Sequence, residues 1–344
     1  MKRTEHADVA VIGAGPIGLE LAVALKSAGA DYLQFDARQI GYTVSWFAPQ
    51  TKFFSSNDRI AIAGVPLQTA DQNKATREEY LAYLRSVVQQ FDLSVRTYEP
   101  VLKVERIGGQ FRLTTRANGT ERTYTANKVV FCTGGTDRPR RLGIPGEDLP
   151  HVSHYFKDPH TYFRRRLLVV GGKNSAIEAA LRCHAAGASV AISYRRAQFD
   201  SRHIKYWLLP EINGLVTGGR VTGLFESVPV EITPNSVRLR RNDGSVTDEP
   251  FDFVLLLVGY EADMSLLRSA GVSLAGECQI PTFDPRTMET DVPGLYVAGC
   301  AIGGTQDKYS VFLESCHVHV PRIIAALSGR PADLPTPVYA GAES

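Results

Sequence analysis

The strongest constraint on this chain is a motif that occurs twice. "VAVIGAGPIGLELAVALKSAGADYLQFDA" begins at Val9, and "LLVVGGKNSAIEAALRCHAAGASVAISYR" begins at Leu167. Each reads as an apolar strand, a glycine turn, an amphipathic helix ending at Gly29 or Gly187, and a second apolar strand. That spacing belongs to a β-α-β unit, whose two strands lie parallel in one sheet. A chain of 344 residues with two such units suits two medium domains, each long enough to bury its own core.

Each unit is closed further along by an apolar run ending in glycine, "KVVFCTGG" for the first and "FVLLLVGYEAD" for the second. A third run, "PGLYVAGCAIGG", precedes a helix predicted over 310–328. Between the units, "TDRPRRLGIPGEDLPHVSH" is rich in proline and charge and reads as a crossover. The predicted fold is therefore α/β, with two Rossmann-like, three-layer dinucleotide-binding domains. The second, 141–262, is inserted into a discontinuous first one, 1–140 and 263–344. The tail "GRPADLPTPVYAGAES" is expected to be loosely held.

In the first loop, Gly13-x-Gly15-x-x-Gly18 follows the strand and opens the helix. The first glycine makes the tight turn, the second lets the backbone approach a pyrophosphate, and the third lets helix and strand pack closely. Pro16 and Ile17 complete the loop, and the helix N-terminus offers N–H groups and its dipole to phosphate. Asp36 ends the second strand at the right remove to accept hydrogen bonds from ribose hydroxyls. An acid there disfavours a 2′-phosphate and leaves FAD and NAD both open.

The second loop departs from that pattern. Lys173 stands where the second glycine belongs, and Tyr194-Arg195-Arg196 replaces the acid. Gly171, Gly172 and Ala176 still supply the turn and close packing, while Asn174 and Ser175 can donate to a pyrophosphate. Lys173 adds a positive charge beside that anion. Arg195 and Arg196, with Arg202 as a third candidate, suit a 2′-phosphate, although the same residues also read as a solvated charge run. NADPH is thus expected over NADH, with Gly259 closing its site.

Composition narrows the partners. A net charge of +2 gives no reason to invoke nucleic acid or a membrane surface. The longest apolar stretch is far below the ~18 residues of a membrane span. The basic, then apolar, N-terminus is interrupted by Glu5, Asp8 and the glycine turn, unlike a signal peptide. A cytoplasmic protein is expected. The five cysteines include no C-x-x-C pair and no metal-ligand spacing, so no metal is expected. Cys132 is expected to be buried and Cys183 to sit on the exposed-to-core boundary of a helix in the second domain, while Cys278 and Cys316 carry no motif.

Further matches rest on resemblance. "TDVPGLYVAGC" and "VVFCTGG" are similar to the two segments that hold FAD in two-dinucleotide flavoproteins, which brings in Thr133, Gly134, Gly299 and Cys300. Almost the whole chain resembles the low-molecular-weight thioredoxin reductases, most of all the YpdA/Bdr-type bacillithiol disulfide reductases. "QTKFFSSNDRIAIAGVP", "HVSHYFKDPHTYF", "GGKNSAIEAAL" and "WLLP" carry that resemblance. It implies a homodimer that uses FAD and NADPH and lacks C-x-x-C. It also implies that Phe53, Phe54, Ser55, Ser56 and Asn57 line the isoalloxazine, although an ordinary buried turn fits them equally. Ser310, opening the last helix, would aim N–H groups at the flavin. Two positions depart from the family. Its cysteine in the first loop is replaced by Ile17, and the acid after the last "AG" by Cys300.

Three outcomes for the electrons remain open at this point. One is reduction of a low-molecular-weight disulfide, with Cys300 as the candidate catalytic thiol. Another is a flavin monooxygenase-like reaction, for which His154 in "GIPGEDLPHVSHYF" is the candidate linker histidine. The third is transfer to a small protein partner or to oxygen.

Overall fold

A computed structural model describes residues 5–306 and 310–329. The described chain divides into two compact units. One comprises the described residues of 1–45, 50–138 and 261–343, and the other comprises 46–49 and 139–260. The tail expected to be loosely held lies outside the described residues beyond Gly329.

The first unit is built on a six-stranded sheet. Strand Glu5–Ile12 runs parallel to Tyr32–Phe35 on one side and to Thr120–Phe131 on the other. Helix Pro16–Ser27 makes the crossover, with Pro16 at its first position, where no N–H is needed. Strand Thr120–Phe131 is long enough to divide its second edge between two neighbours. Its first half pairs antiparallel with Gln110–Ala117, which in turn pairs with Val101–Ile107. Its last residues, Val129 to Phe131, pair in parallel with Leu295–Val297. Ile12, Phe35, Phe131 and Val297 therefore end one row of the sheet. All four are buried. Helix Arg77–Gln90 starts at a capping box, in which Thr76 and Glu79 each hold the other's backbone N–H.

The second unit has a five-stranded parallel sheet in the order Thr222–Phe225, Ser189–Tyr194, Arg166–Val170, Phe253–Leu256, Val152–Ser153. Helix Asn174–Ala185 joins the two strands of its β-α-β motif and buries Ala176, Ile177, Ala179, Ala180 and Cys183. Cys183 is fully buried, not at a boundary as expected, because it falls on the same helical face as those residues. A three-stranded antiparallel sheet spans Ser227 to Pro250. Trp46 packs edge-to-face on Tyr155 and Tyr260 within this unit.

The predicted helix over 310–328 is two helices, Leu313–Cys316 and His319–Ser328. Pro321 has no N–H to offer the His317 carbonyl, so the ladder breaks there, and Val320 N–H takes that carbonyl instead. Among the described residues no helix is long and apolar enough to cross a membrane.

Candidate functional site

The sheet of the first unit delivers four strand ends to one edge. Gly13 follows Ile12, Asp36 follows Phe35, Cys132 and Thr133 follow Phe131, and Ala298 and Gly299 follow Val297. Gly13 adopts φ +112°, and a Cβ there would stand 2.3 Å from the Cys132 carbonyl oxygen. Glycine is required by backbone conformation and by space alike. At Gly15 the surroundings differ: no atom lies within 4 Å of where its Cβ would be. The helix behind it has no side-chain cap. Ala14 N–H donates to Asp36 Oδ2 at 2.7 Å and Arg38 N–H to Oδ1 at 2.8 Å. Burial raises the Asp36 carboxyl above its ordinary range, with those two N–H groups pulling the other way. The Thr133 hydroxyl is buried with no partner in the protein. An open backbone, an uncapped helix and an orphaned hydroxyl together suit a phosphate-bearing, hydrogen-bonding group.

The cysteines at this edge are unequal. Burial pushes the Cys132 thiol up to about 12, leaving it inert. Cys300 is partly exposed. A Cβ on Gly135 would sit 3.0 Å from the Cys300 carbonyl oxygen and 3.5 Å from its Cβ. On the other side, Ile17 lies 3.5 Å from the Cβ position of Gly299. Cys300 packs against the apolar cluster that buries Cys316, a residue with no sequence motif to mark it. Gly299 N–H donates to Nδ1 of His319 at 3.1 Å. Burial, then the charges of Arg322 and His317, holds His319 down to about 4, so its ring is neutral and can accept. A histidine on the apolar face of the last helix was the available sequence signal for this contact.

Other expected residues are placed differently. Ser310 does not open a helix. Its N–H and that of Val311 both donate to Gln306 Oε1 at 2.9 Å, which removes them as helix-terminal donors. Phe53 packs on Tyr80, with ring centroids 4.6 Å apart. Asn57 ties its own loop by accepting from Ala75 N–H and donating to the Asn73 carbonyl. Ser55 donates to Glu314 Oε1 at 2.7 Å, and the Phe54 carbonyl accepts from Lys74.

In the second unit, Gly171 stands at φ +137°, and its Cβ would lie 2.4 Å from the Leu257 carbonyl oxygen and 3.0 Å from the Ala176 methyl. Lys173 occupies the N-cap of helix Asn174–Ala185 in extended backbone, the place that Gly15 takes in the first loop. The Tyr194 ring covers Gly172 at 2.4 Å from its Cβ position. Asn174 Oδ1 accepts from Lys205 N–H, which anchors the following loop. Gly259 stands in open space. Asp200 holds Arg202 at 2.8 Å and Arg196 at 3.1 Å. Arg202 thus shares Asp200 with Arg196, while Arg195 is exposed. His154 lies 3.6 Å from Glu147, whose carboxylate also takes the N–H groups of Leu142 and Gly143. Among the described residues no cluster of His, Cys, Asp and Glu could hold a metal.

A family model described as pyridine nucleotide-disulphide oxidoreductase matches residues 10–299. The chain belongs to that family. It is 35% identical over 321 residues to the bacilliredoxin reductase Bdr of Bacillus subtilis, covering 93% of this chain and 97% of that one. It is 30% identical over 300 residues to a ferredoxin–NADP reductase of Ignicoccus hospitalis, covering 85% and 89%. The solved bacillithiol disulfide reductase Bdr (YpdA) of Bacillus cereus superposes with a TM-score of 0.90 at 32% identity, covering 94% and 99%. The chain is an oxidoreductase of the thioredoxin reductase-like fold, with FAD and NADPH as its cofactors. Both glycine loops suit those groups: one has open backbone and an unpaired hydroxyl, the other a lysine-capped helix with arginines near the strand end.

Proposed function

We propose that this chain is a cytoplasmic reductase of a low-molecular-weight disulfide such as bacillithiol disulfide, with NADPH as electron donor. The observation that carries this reading is a partly exposed cysteine, Cys300, at the same sheet edge as the first glycine loop, flanked by Gly135 and by Gly299, beside which Ile17 packs. Similarity to Bdr along most of the chain supports it. In this reading Gly13, Gly15, Pro16, Ile17 and Gly18 cradle the FAD pyrophosphate, and Asp36 accepts from the ribose. Thr133, Gly134 and Gly299 line the rest of that cofactor, with Phe54 and Ser55 near its ring. Gly171 to Ala176, Arg195 and Gly259 hold NADPH, with Arg196 shared between the nucleotide and Asp200. Bound FAD supplies the two-electron centre that takes hydride from NADPH.

A second reading, transfer of electrons to a protein such as ferredoxin, is favoured by Ile17, which leaves the first loop without sulfur, and by the ferredoxin–NADP reductase relative. The test is anaerobic. Enzyme reduced with NADPH is mixed in turn with bacillithiol disulfide, glutathione disulfide, ferredoxin and oxygen. Fast reoxidation by bacillithiol disulfide is the expected result. Reoxidation by ferredoxin alone would replace the first reading with the second.

A further inference from the structure

The two β-α-β units end their second strands with opposite charges. Phe35 is followed by Asp36, which accepts from the N–H groups of Ala14 and Arg38. Tyr194 is followed instead by Arg195 and Arg196. The second unit nevertheless brings a carboxylate to its strand end, from further along the chain. Asp200 holds two guanidiniums at once. Its Oδ2 accepts from Arg196 Nη1 at 3.1 Å and from Arg202 Nη2 at 2.8 Å. Its Oδ1 accepts from Arg202 Nε at 2.9 Å and from the Arg202 N–H at 3.2 Å. The pairing with Arg202 is bidentate, the geometry in which a guanidinium meets a carboxylate or a phosphate.

The loop that carries Asp200 is fixed on both sides. Before it, Phe199 is buried, stacked on Tyr194 with ring centroids 5.9 Å apart and edge-on to Phe225 at 5.1 Å. After it, Asp200 caps the short turn Ser201–His203. Lys205 then donates its N–H to Asn174 Oδ1 at 2.7 Å and its ammonium to Glu178 Oε2 at 3.2 Å. The Asp200 side chain is only 12% exposed, whereas that of Arg196 is 51% and that of Arg202 80% exposed. The carboxylate is the fixed member, and the guanidiniums come to it.

We propose that Asp200 is a specificity-determining residue for the nicotinamide nucleotide: its carboxylate competes with a 2′-phosphate for Arg196 and Arg202, and holds the preference for NADPH over NADH below what three arginines would otherwise give. The proposal rests on Arg195 and the second glycine loop holding NADPH.

Both anions need the same donors. A guanidinium offers five N–H groups in one plane, and Arg202 has turned its Nε–Nη2 edge to Asp200. A 2′-phosphate docking on either arginine must take donors that the carboxylate holds, or share the guanidinium with a second negative charge. NADPH and NADH differ only in that phosphate, so the opposition falls on NADPH alone. Arg195, exposed at the same strand end, is left to read the phosphate. Because the two arginines lie at the surface, water and salt screen the competition, and Asp200 tunes selectivity without abolishing it.

The test uses oxidised nucleotides, so that binding is measured without turnover. NADP⁺ and NAD⁺ are titrated calorimetrically into FAD-loaded wild type, Asp200→Asn and Asp200→Ser at low and at high salt. Asparagine keeps an oxygen for the turn that Asp200 caps, and serine is a second capping residue. At low salt NADP⁺ should bind both variants roughly three- to tenfold more tightly than wild type, with NAD⁺ unchanged. High salt should erase the gain. Unchanged or weaker NADP⁺ binding in the variants overturns the proposal, the weaker case making Asp200 a residue that orients the arginines. Equal tightening of NAD⁺, or a gain that survives high salt, overturns it too, since neither comes from charge competition at a 2′-phosphate. Arg195→Ala, titrated in parallel, separates the two failures. If it weakens NADP⁺ no more than NAD⁺, the phosphate is not read at this strand end and the reading of the site falls. If it weakens NADP⁺ selectively while the Asp200 variants match wild type, only the role of Asp200 falls.

Discussion

Gly13 and Gly15 stand two residues apart in one loop, yet the structure assigns them opposite costs. Gly13→Ala would place a methyl 2.3 Å from a backbone oxygen and 2.7 Å from its carbon, at φ +112°. The conformational strain is of order 1–3 kcal/mol. Because the obstacle is main chain, overpacking adds about 1–3 kcal/mol more. Against a typical domain stability of ~5–15 kcal/mol, that removes a large share of the fold. Gly15→Ala meets nothing, since its backbone at φ −73°, ψ −179° is extended and open. Restricting the unfolded chain should even add ~0.4–1 kcal/mol. Its methyl would instead occupy the space through which the loop approaches a pyrophosphate. Thermal melts of the two FAD-free variants, with FAD titrated by quenching of flavin fluorescence, separate the effects. Gly13→Ala should melt well below wild type. Gly15→Ala should melt at or slightly above wild type and purify colourless. Wild-type FAD affinity in Gly15→Ala would refute the assignment of this loop, and equal destabilisation of both variants would refute the geometry.

Arg195→Ala should weaken NADPH binding by ~1.5–3 kcal/mol and leave NADH nearly unchanged, while Arg196→Ala costs less because Asp200 already holds that guanidinium. Equal losses for both nucleotides would show that Arg195 does not read the 2′-phosphate. Thr133→Val removes a buried hydroxyl that has no protein partner, so the FAD-free protein should hold or gain up to ~1–3 kcal/mol while FAD binding weakens. A loss of stability in the FAD-free variant would place that hydroxyl in a structural bond. Two histidines give the stability profile opposite limbs. His319 is held at about 4, below its unfolded value, so its contribution is present above ~6.5 and lost as pH falls through about 4, costing about 3 kcal/mol. His317 is raised: burial opposes its charge, but Glu20, 2.8 Å away, the Arg59 carbonyl and Glu314 outweigh burial. Its contribution is present at low pH and is lost as pH rises through its folded value. Denaturation of His319→Gln and His317→Gln across pH should flatten the acid and alkaline limbs respectively, and an unchanged limb in either variant would refute its assignment.

The two β-α-β units were legible because their signals are local. Glycines at fixed offsets, a helix of the right length and an acid or arginine at the next strand end all lie within thirty or so residues. Gly13, Asp36 and Gly171 needed no tertiary information. Most contacts missed from sequence join distant segments. Cys316 has no motif because its neighbours in the apolar cluster, Ile17 and Cys132 among them, come from other segments, and periodicity cannot place one loop against another. Ser310 looked like a helix start because the apolar pattern begins there, and only Gln306, reaching back to two N–H groups, shows otherwise. Pro321 inside the apolar run was a readable sign that the last helix would break. Tyr194 over Gly172 depends on a rotamer, which sequence does not encode.

Strand Thr120–Phe131 also sets an order of events during folding. The partner for its last residues, Leu295–Val297, is made only after the whole of 139–260 has been synthesised. The inserted unit, apart from 46–49, is one continuous stretch of chain, and all of its parallel ladders close within that stretch. It can therefore become compact while the earlier unit still shows the unpaired edge of Val129, Val130 and Phe131 to solvent. Contacts of long sequence separation form late, and unpaired apolar strand edges invite association with other chains. A nascent chain halted before Leu295 would carry one finished unit and one sheet with an open apolar edge, the form of this protein most exposed to chaperones and to aggregation.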